Sequence, residues 1–406
     1  MQIYRLENAI QPYAWGSKTA IAELLGLPAP HDRPQAELWM GTHAKGPSMA
    51  VVDGERIPIQ QLIEAQPAEI LGPEVARRFG AELPYLFKVL AAAMPLSIQA
   101  HPDKAQAASG FARENHAGIP LNASDRNYRD ENHKPEVICA LTPFWALNGF
   151  RPARMAAELL APVCPRPLEN ALVELRKGHG TGIKTFFEAM MTLSAAKRPQ
   201  AVGDILAQAE RRMDRTPEYR WMVELARAYP TDMGVLSPAL LNLIRLEPSQ
   251  AMYLPAGQLH AYLDGVGIEL MANSDNVLRG GLTAKHIDVG ELLSVVRFAE
   301  TVIDLIEATP AGPAETRYDC PADEFSLSVL RPEPSKRFRS AARRSIEILL
   351  CIAGNAVMEV DDREVMEVKQ GDSVMVPAGL DPYTIQGQAT LFKAAVPLPD
   401  RPSTAS

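Results

Sequence analysis

The chain has 406 residues, of which 47% are hydrophobic and 22% charged, with a formal charge of -8. Two or three globular domains are expected at that length. The acidic balance argues against general nucleic-acid binding, so any anionic substrate must meet a local cluster of cations.

The segment Met1-Gln-Ile-Tyr-Arg-Leu-Glu-Asn8 has no basic stretch leading into an apolar run, and no apolar window of about 18 residues occurs, so neither secretion nor a membrane span is expected. Cys139, Cys164, Cys320 and Cys351 are scattered without a Cys-x-x-Cys. That spacing suits neither a disulfide framework nor a cysteine zinc site, and it makes a reducing cytoplasm the expected setting.

In chain order, a short strand is followed by Tyr13-Ala-Trp-Gly and by a helix from Ser17 as N-cap to Gly26 as stop. After a Pro-rich loop come a strand in Ala36-Glu-Leu-Trp-Met-Gly-Thr-His43, a helical pattern over Ile59 to Leu71, and a buried strand at Tyr85-Leu-Phe-Lys-Val-Leu90. Residues 103 to 135 are polar and patternless, which suggests a short helix plus a functional loop. They end at Asn132-His-Lys-Pro-Glu136, and a strand follows from Val137. From Pro152 the texture turns helical, with spaced apolar residues over Met155–Leu160, Leu168–Lys177, Ile183–Leu193, Ala201–Met213 and Tyr219–Ala228. Strands return at Ala251 to Leu263 and dominate from about Asp323, and the tail from Leu398 is expected to fray.

Leu254-Pro-Ala-Gly-Gln-Leu-His260 is echoed by Val376-Pro-Ala-Gly-Leu-Asp-Pro382. Strand, Pro-Ala-Gly turn, strand is a cupin-type jelly-roll signature, and its recurrence predicts two such units. The fold class is therefore mainly β with a helical insert (α+β). A discontinuous first unit over 1–151 and 240–320 is expected, with a helical domain over 152–239 and a second jelly roll over 321–406. Pro382 stands where the first copy has His260, so the second unit is expected to lack metal ligands.

Alternation along Pro95-Leu-Ser-Ile-Gln-Ala-His101 places Ser97, Gln99 and His101 on one face and Leu96, Ile98 and Ala100 on the other. Two donors two residues apart on a strand can reach one ion. His260 and Glu136 occupy comparable polar positions in otherwise apolar strands; for Glu136 a salt bridge to Arg151 is the alternative. Two imidazoles, one amide oxygen and one carboxylate would leave a divalent ion with net positive charge, which suits a Lewis acid.

Gln-x-His-Pro at 99–102, Asn-His-Lys-Pro-Glu at 132–136, and Pro-Ala-Gly-x-x-His-Ala-Tyr with Ser-Asp-Asn-x-x-Arg-Gly-Gly-Leu-Thr at 274–283 resemble the type I mannose-6-phosphate isomerases. Tyr13-Ala-Trp-Gly and Ala36-Glu-Leu-Trp-Met-Gly-Thr-His43 extend the likeness from residue 11 to about 290. The resemblance implies one zinc ion per chain on Gln99, His101, Glu136 and His260, and interconversion of mannose 6-phosphate and fructose 6-phosphate through a cis-enediol or enediolate. It makes Arg279 the catalytic arginine and Glu269 an acid/base candidate. Lys134, on the Glu136 face, could also exchange a proton. Ser97, Lys88 and Lys285 are the groups best placed in sequence to hold the phosphate, and a monomer is expected. A cupin oxygenase and a non-catalytic sugar-phosphate sensor are the competing readings. Gly178-His-Gly-Thr-Gly182 follows a helical pattern and so does not suit a phosphate loop. The basic run Lys336, Arg337, Arg339, Arg343 and Arg344 reads as an exposed strand and turn.

Overall fold

The computed structural model describes residues 1–178 and 180–399. Among these, the strands form two antiparallel sheets of eleven strands each. The first is organised on the 13-residue strand His260–Ala272. One half of it pairs with Tyr85–Ala92 and Glu136–Ala140, the other with Ile98–Ala100 and Phe144–Phe150. A register shift between Tyr262 and Asp264 divides the halves, and such a bulge bends a strand and strengthens its twist.

Alternation then decides what each face buries. Phe87, Val89, Val137, Cys139, Ile268 and Leu270 face outward and pack in one core with Ile346, Ile348, Leu350 and Phe392 of the second sheet. Ile98, Ala100, Leu147, Leu259, Ala261 and Leu263 pack instead in a core with Phe186, Met190, Met222 and Leu225 of the helices. Each large apolar side chain so buried contributes about 1.5–3 kcal/mol. The residues between them, Lys88, Glu136, His260, Tyr262 and Glu269, are buried polar groups on the opposite face.

The second sheet runs from Thr309–Gly312 through Glu315–Tyr318, Ser326–Leu330, Tyr383–Ala395, Glu347–Val360 and Ser373–Val376. It continues into Tyr4–Glu7, Met49–Val52 and Glu55–Pro58. These three N-terminal strands, like Thr309–Gly312 and Glu315–Tyr318, were expected within the first unit. Arg5 pairs with Val374 on one side and Val51 on the other, because hydrophobic alternation fixes a face but not a partner.

Between the sheets in sequence lie Ala153–Leu160, Glu169–Arg176, Gly180–Thr192, Arg198–Glu210 and Pro217–Ala228, all helices within a few residues of the predicted spans. The segment expected as one helix over 59–71 breaks at Pro67 into Ile59–Ala65 and Pro67–Leu71. The first helix spans Ala20–Leu24; Ser17 is not its N-cap, though its hydroxyl accepts from Ala20 N at 3.2 Å. Arg344 departs from the expected exposed run: it is buried and donates to Leu380 O at 2.5 Å. His179 of the glycine-rich segment and residues 400–406 of the tail lie outside the described residues. Among the described residues, no helix is long and apolar enough to cross a membrane.

Candidate metal centre and cation-lined cavity

Strand register assembles the site. His260 lies opposite Gln99, and Gln99 lies opposite Arg279 on the strand Leu278–Gly281, so three strands present an imidazole, an amide and a guanidinium in one row. Adjacent members of such a row have Cα atoms about 4.5–5.5 Å apart. The Pro-Ala-Gly turn locks a second imidazole beside it. Gly257, at φ +78°, donates its N–H to His101 O at 2.8 Å and accepts from Arg297 N at 2.9 Å. A Cβ at Gly257 would stand 2.9 Å from Arg297 Cγ. The echoed turn serves docking instead, since Ala378 N and Gly379 N donate to Ile70 O and Glu69 O and so fasten the short helix Pro67–Leu71.

His101, Glu136 and His260 offer ligand atoms that all lie within 4.8 Å of one another, and all three residues are buried. His101 Nδ1 is 2.6 Å from Asn276 O and His260 Nδ1 is 3.0 Å from Gln258 O. Protons placed on those nitrogens leave each Nε2 with its lone pair facing Glu136, at 3.4 Å and 3.3 Å. Both Nε2 atoms and both Glu136 carboxylate oxygens are buried without a hydrogen-bond partner among the described residues. Such atoms are expensive to leave unmet, and a divalent cation is the partner their chemistry fits.

Burial, with the Lys134 charge, pushes the His101 imidazolium down to about 4, so the ring is in its neutral, ligating form at pH 7. Burial alone would raise Glu136, but the nearby Lys134 and His101 outweigh it and hold the carboxyl well below its ordinary range. Lys134 Nζ stands 3.0 Å from Glu136 Oε1. Glu136 does not take the Arg151 salt bridge; Arg151 pairs with Glu218 at 2.9 Å.

Gln99, Glu136, Lys134, Glu269, Ser97, Arg279 and Lys285 line one cavity of about 490 Å³. Its cations fall into two kinds. Lys88 is buried between Glu269, with which it forms a short ion pair, and Glu37 at 3.5 Å. Burial disfavours its charge, yet these carboxylates and Glu136 raise it overall, so Lys88 stays protonated. Its ammonium, in the wall of the same cavity, is matched by these carboxylates. Glu269 pairs with Lys88 and also accepts from the Tyr262 hydroxyl at 2.8 Å.

Arg279 and the Lys285 ammonium, by contrast, have no carboxylate partner among the described residues. Burial and then the Arg129 charge lower Arg279; burial, Arg279, Arg129 and Lys45 lower Lys285. Cations crowded together without counter-charges form an anion site in an acidic protein. Arg129, which sequence reasoning missed, lines the adjoining cavity beside Lys45 and Asp275; it sits in the patternless 103–135 stretch and donates to Leu121 O at 2.7 Å and Ala123 O at 3.3 Å. Asn276, also missed, is fully buried and ties this loop to the imidazoles. Its side chain accepts from Arg129 N at 2.7 Å and donates to Asp130 O and Asn132 O.

Two family descriptions match the chain: phosphomannose isomerase type I, catalytic domain, over residues 3–153, and mannose-6-phosphate isomerase, cupin domain, over residues 316–396. A mannose-6-phosphate isomerase of Shigella flexneri is 40% identical over 393 residues, covering 96% of this chain and 98% of the relative. Mannose-6-phosphate isomerase 1 of Arabidopsis thaliana is 32% identical, covering 93% and 90%. A crystal structure of a zinc-bound mannose 6-phosphate isomerase superposes with TM-score 0.89 at 38% identity, covering 98% of this chain and all of that one. Likeness of sequence and fold along nearly the whole length of these enzymes, joined to the buried His-Glu-His cluster, places the chain in the type I phosphomannose isomerase family.

Proposed function

We propose that this chain is a zinc-dependent isomerase interconverting mannose 6-phosphate and fructose 6-phosphate. The observation that carries the reading is the buried His101-Glu136-His260 cluster, whose Glu136 reaches a cavity that Arg279 and Lys285 also line without carboxylate partners among the described residues. His101, Glu136 and His260 hold one zinc ion per chain, with Gln99 as the fourth ligand. Once bound, a divalent ion supplies a Lewis acid that polarises sugar hydroxyl and carbonyl oxygens.

The remaining steps belong to side chains. Converting the aldose takes a proton from C2 and delivers one to C1 through a cis-enediol or enediolate, while O2 loses its proton and O1 gains one. Glu269 and Lys134, both in the cavity wall, are the groups assigned to this transfer. Lys88 and the Tyr262 hydroxyl keep the Glu269 carboxylate oriented. Arg279 stabilises the developing oxyanion with fixed guanidinium donors. Ser97 and Lys285 hold the phosphate, with Arg129 adding to the local field.

The catalytic unit is assigned to 1–151 and 240–320, less the five strands it lends to the second sheet. The helical unit is assigned to 152–239 and the second jelly roll to the chain from 321. A monomer in a reducing cytoplasm completes the reading, in keeping with four free cysteines.

A coupled assay on mannose 6-phosphate tests it. Turnover should vanish with a chelator and return with zinc, and in D₂O the fructose 6-phosphate formed should carry solvent deuterium at C1. A metal-replete protein without turnover would leave the sensor reading; oxygen uptake would favour the oxygenase.

A further inference from the structure

One wall of the cavity is braced from the helical insert. The strand Leu278–Gly281, which carries Arg279, leads into a loop that carries Lys285. At its start Gly281 has φ +129° and Leu282 has φ +54°, a left-handed conformation that costs a non-glycine residue about 1–2 kcal/mol. The Leu282 side chain is buried in the helical core.

One carboxylate from the helical insert holds this bend. Asp232 Oδ1 accepts from Gly234 N at 2.8 Å, and Asp232 Oδ2 accepts from Thr283 N at 3.1 Å. A Cβ at Gly281 would stand 3.1 Å from that same Oδ1. Behind the loop is another cavity, of about 600 Å³, bounded by Met190, Tyr229 and Met233 of the helical insert. Thr283, Ala284 and Lys285 line both cavities, so the loop is the partition between them. Across the mouth, the Tyr229 hydroxyl donates to Pro95 O at 3.0 Å, fixing the rim that leads to Ser97.

We infer that Asp232 is a positioning residue: by holding Thr283 N and the Leu282 bend, it keeps Lys285 in the substrate cavity and makes the helical insert set phosphate affinity. Without that carboxylate the loop has room to relax into the cavity behind it, taking the ammonium with it. The inference rests on the assignment of Lys285 to the phosphate.

The test uses the full-length, zinc-loaded protein, with inorganic phosphate as competitive inhibitor of mannose 6-phosphate turnover. Asp232→Ala and Lys285→Ala should each weaken phosphate inhibition about tenfold. The double variant should be no weaker than Lys285→Ala, because residues acting through one contact are not additive. Asp232→Ala should raise KM while changing kcat less than about threefold, with zinc content unchanged. Asp232→Asn, which retains one acceptor oxygen, should give an intermediate shift and serves if the alanine variant does not fold. Full additivity in the double variant, or unchanged inhibition in the Asp232 variants beside a clear Lys285→Ala effect, overturns the inference alone. Unchanged inhibition in Lys285→Ala overturns the phosphate assignment and the inference with it.

Discussion

The interiors of the two sheets hold nearly the same polar set. In the first, the Tyr262 hydroxyl donates to Glu269 at 2.8 Å and Lys88 lies between Glu269 and Glu37. In the second, the Tyr383 hydroxyl donates to Glu347 at 2.8 Å, and Lys393 lies between Glu315 at 2.8 Å and Glu347 at 3.3 Å. What surrounds these groups differs. The second sheet adds Arg344, 3.7 Å from Glu347, so two cations meet two carboxylates. Among the described residues its interior leaves Arg344 Nε and the Thr316 hydroxyl without a hydrogen bond, and Glu324, whose Oε2 is also buried without one, already meets His133 through its other oxygen. The first adds Lys134 and Glu136, so two cations meet three carboxylates, beside two imidazoles with free Nε2 atoms. One interior closes its own charge balance; the other is left needing a cation.

The largest expected effect comes from removing a metal ligand. Glu136→Gln should lose zinc and lower kcat/KM by about 10³-fold or more, since the ion's electrostatic contribution is several kcal/mol. Metal analysis beside the isomerase assay checks this. Breaking the second interior should do the opposite kind of damage. Lys393→Met leaves Glu315 without its cation and Glu347 with Arg344 alone, and urea unfolding should show a loss of about 3–5 kcal/mol. Turnover per folded molecule should be unchanged.

Asn276→Asp comes next. It replaces a donor with an acceptor facing Asp130 O and Asn132 O, so stability should fall by about 1–3 kcal/mol. Zinc affinity should fall about 10–100-fold, because Asn276 O positions His101. A chelator competition titration reads that shift.

The smallest effect is a pH dependence. Burial raises Asp275, but its hydrogen bonds with His43 and Lys45 outweigh burial and hold the carboxyl far below its ordinary value. The unfolded chain then binds the extra proton, so this contribution is fully present above about pH 4 and is lost as pH falls through the depressed folded value. With both partners partly exposed, solvent screening limits it to about 1 kcal/mol. Asp275→Asn should be less stable at pH 7 and converge on the parent protein as pH falls, in unfolding midpoints measured across that range.

How much of this was readable from sequence follows from what alternation can encode. Gln99, His101, Glu136 and His260 announced themselves as polar positions in apolar strands, and the helical texture after Pro152 marked the insert. Partners were another matter. Lys88 meets Glu37 and Glu269 because two pairings bring three distant strands together, and nothing local in Phe87-Lys88-Val89 specifies them. For the same reason Arg5 gave no sign that it would sit between Val51 and Val374. Arg129 and Asn276 lie in irregular backbone, where no periodicity exists to read. Asp232 acts through backbone N–H groups, which every sequence contains.

The most direct test is a zinc titration of metal-stripped protein, following isomerase turnover and bound metal together. Turnover should rise in step with binding, reach its plateau at one zinc per chain, and be absent from His101→Ala at every zinc concentration. Full turnover in protein that holds no metal, or in the His101→Ala variant, would contradict the account.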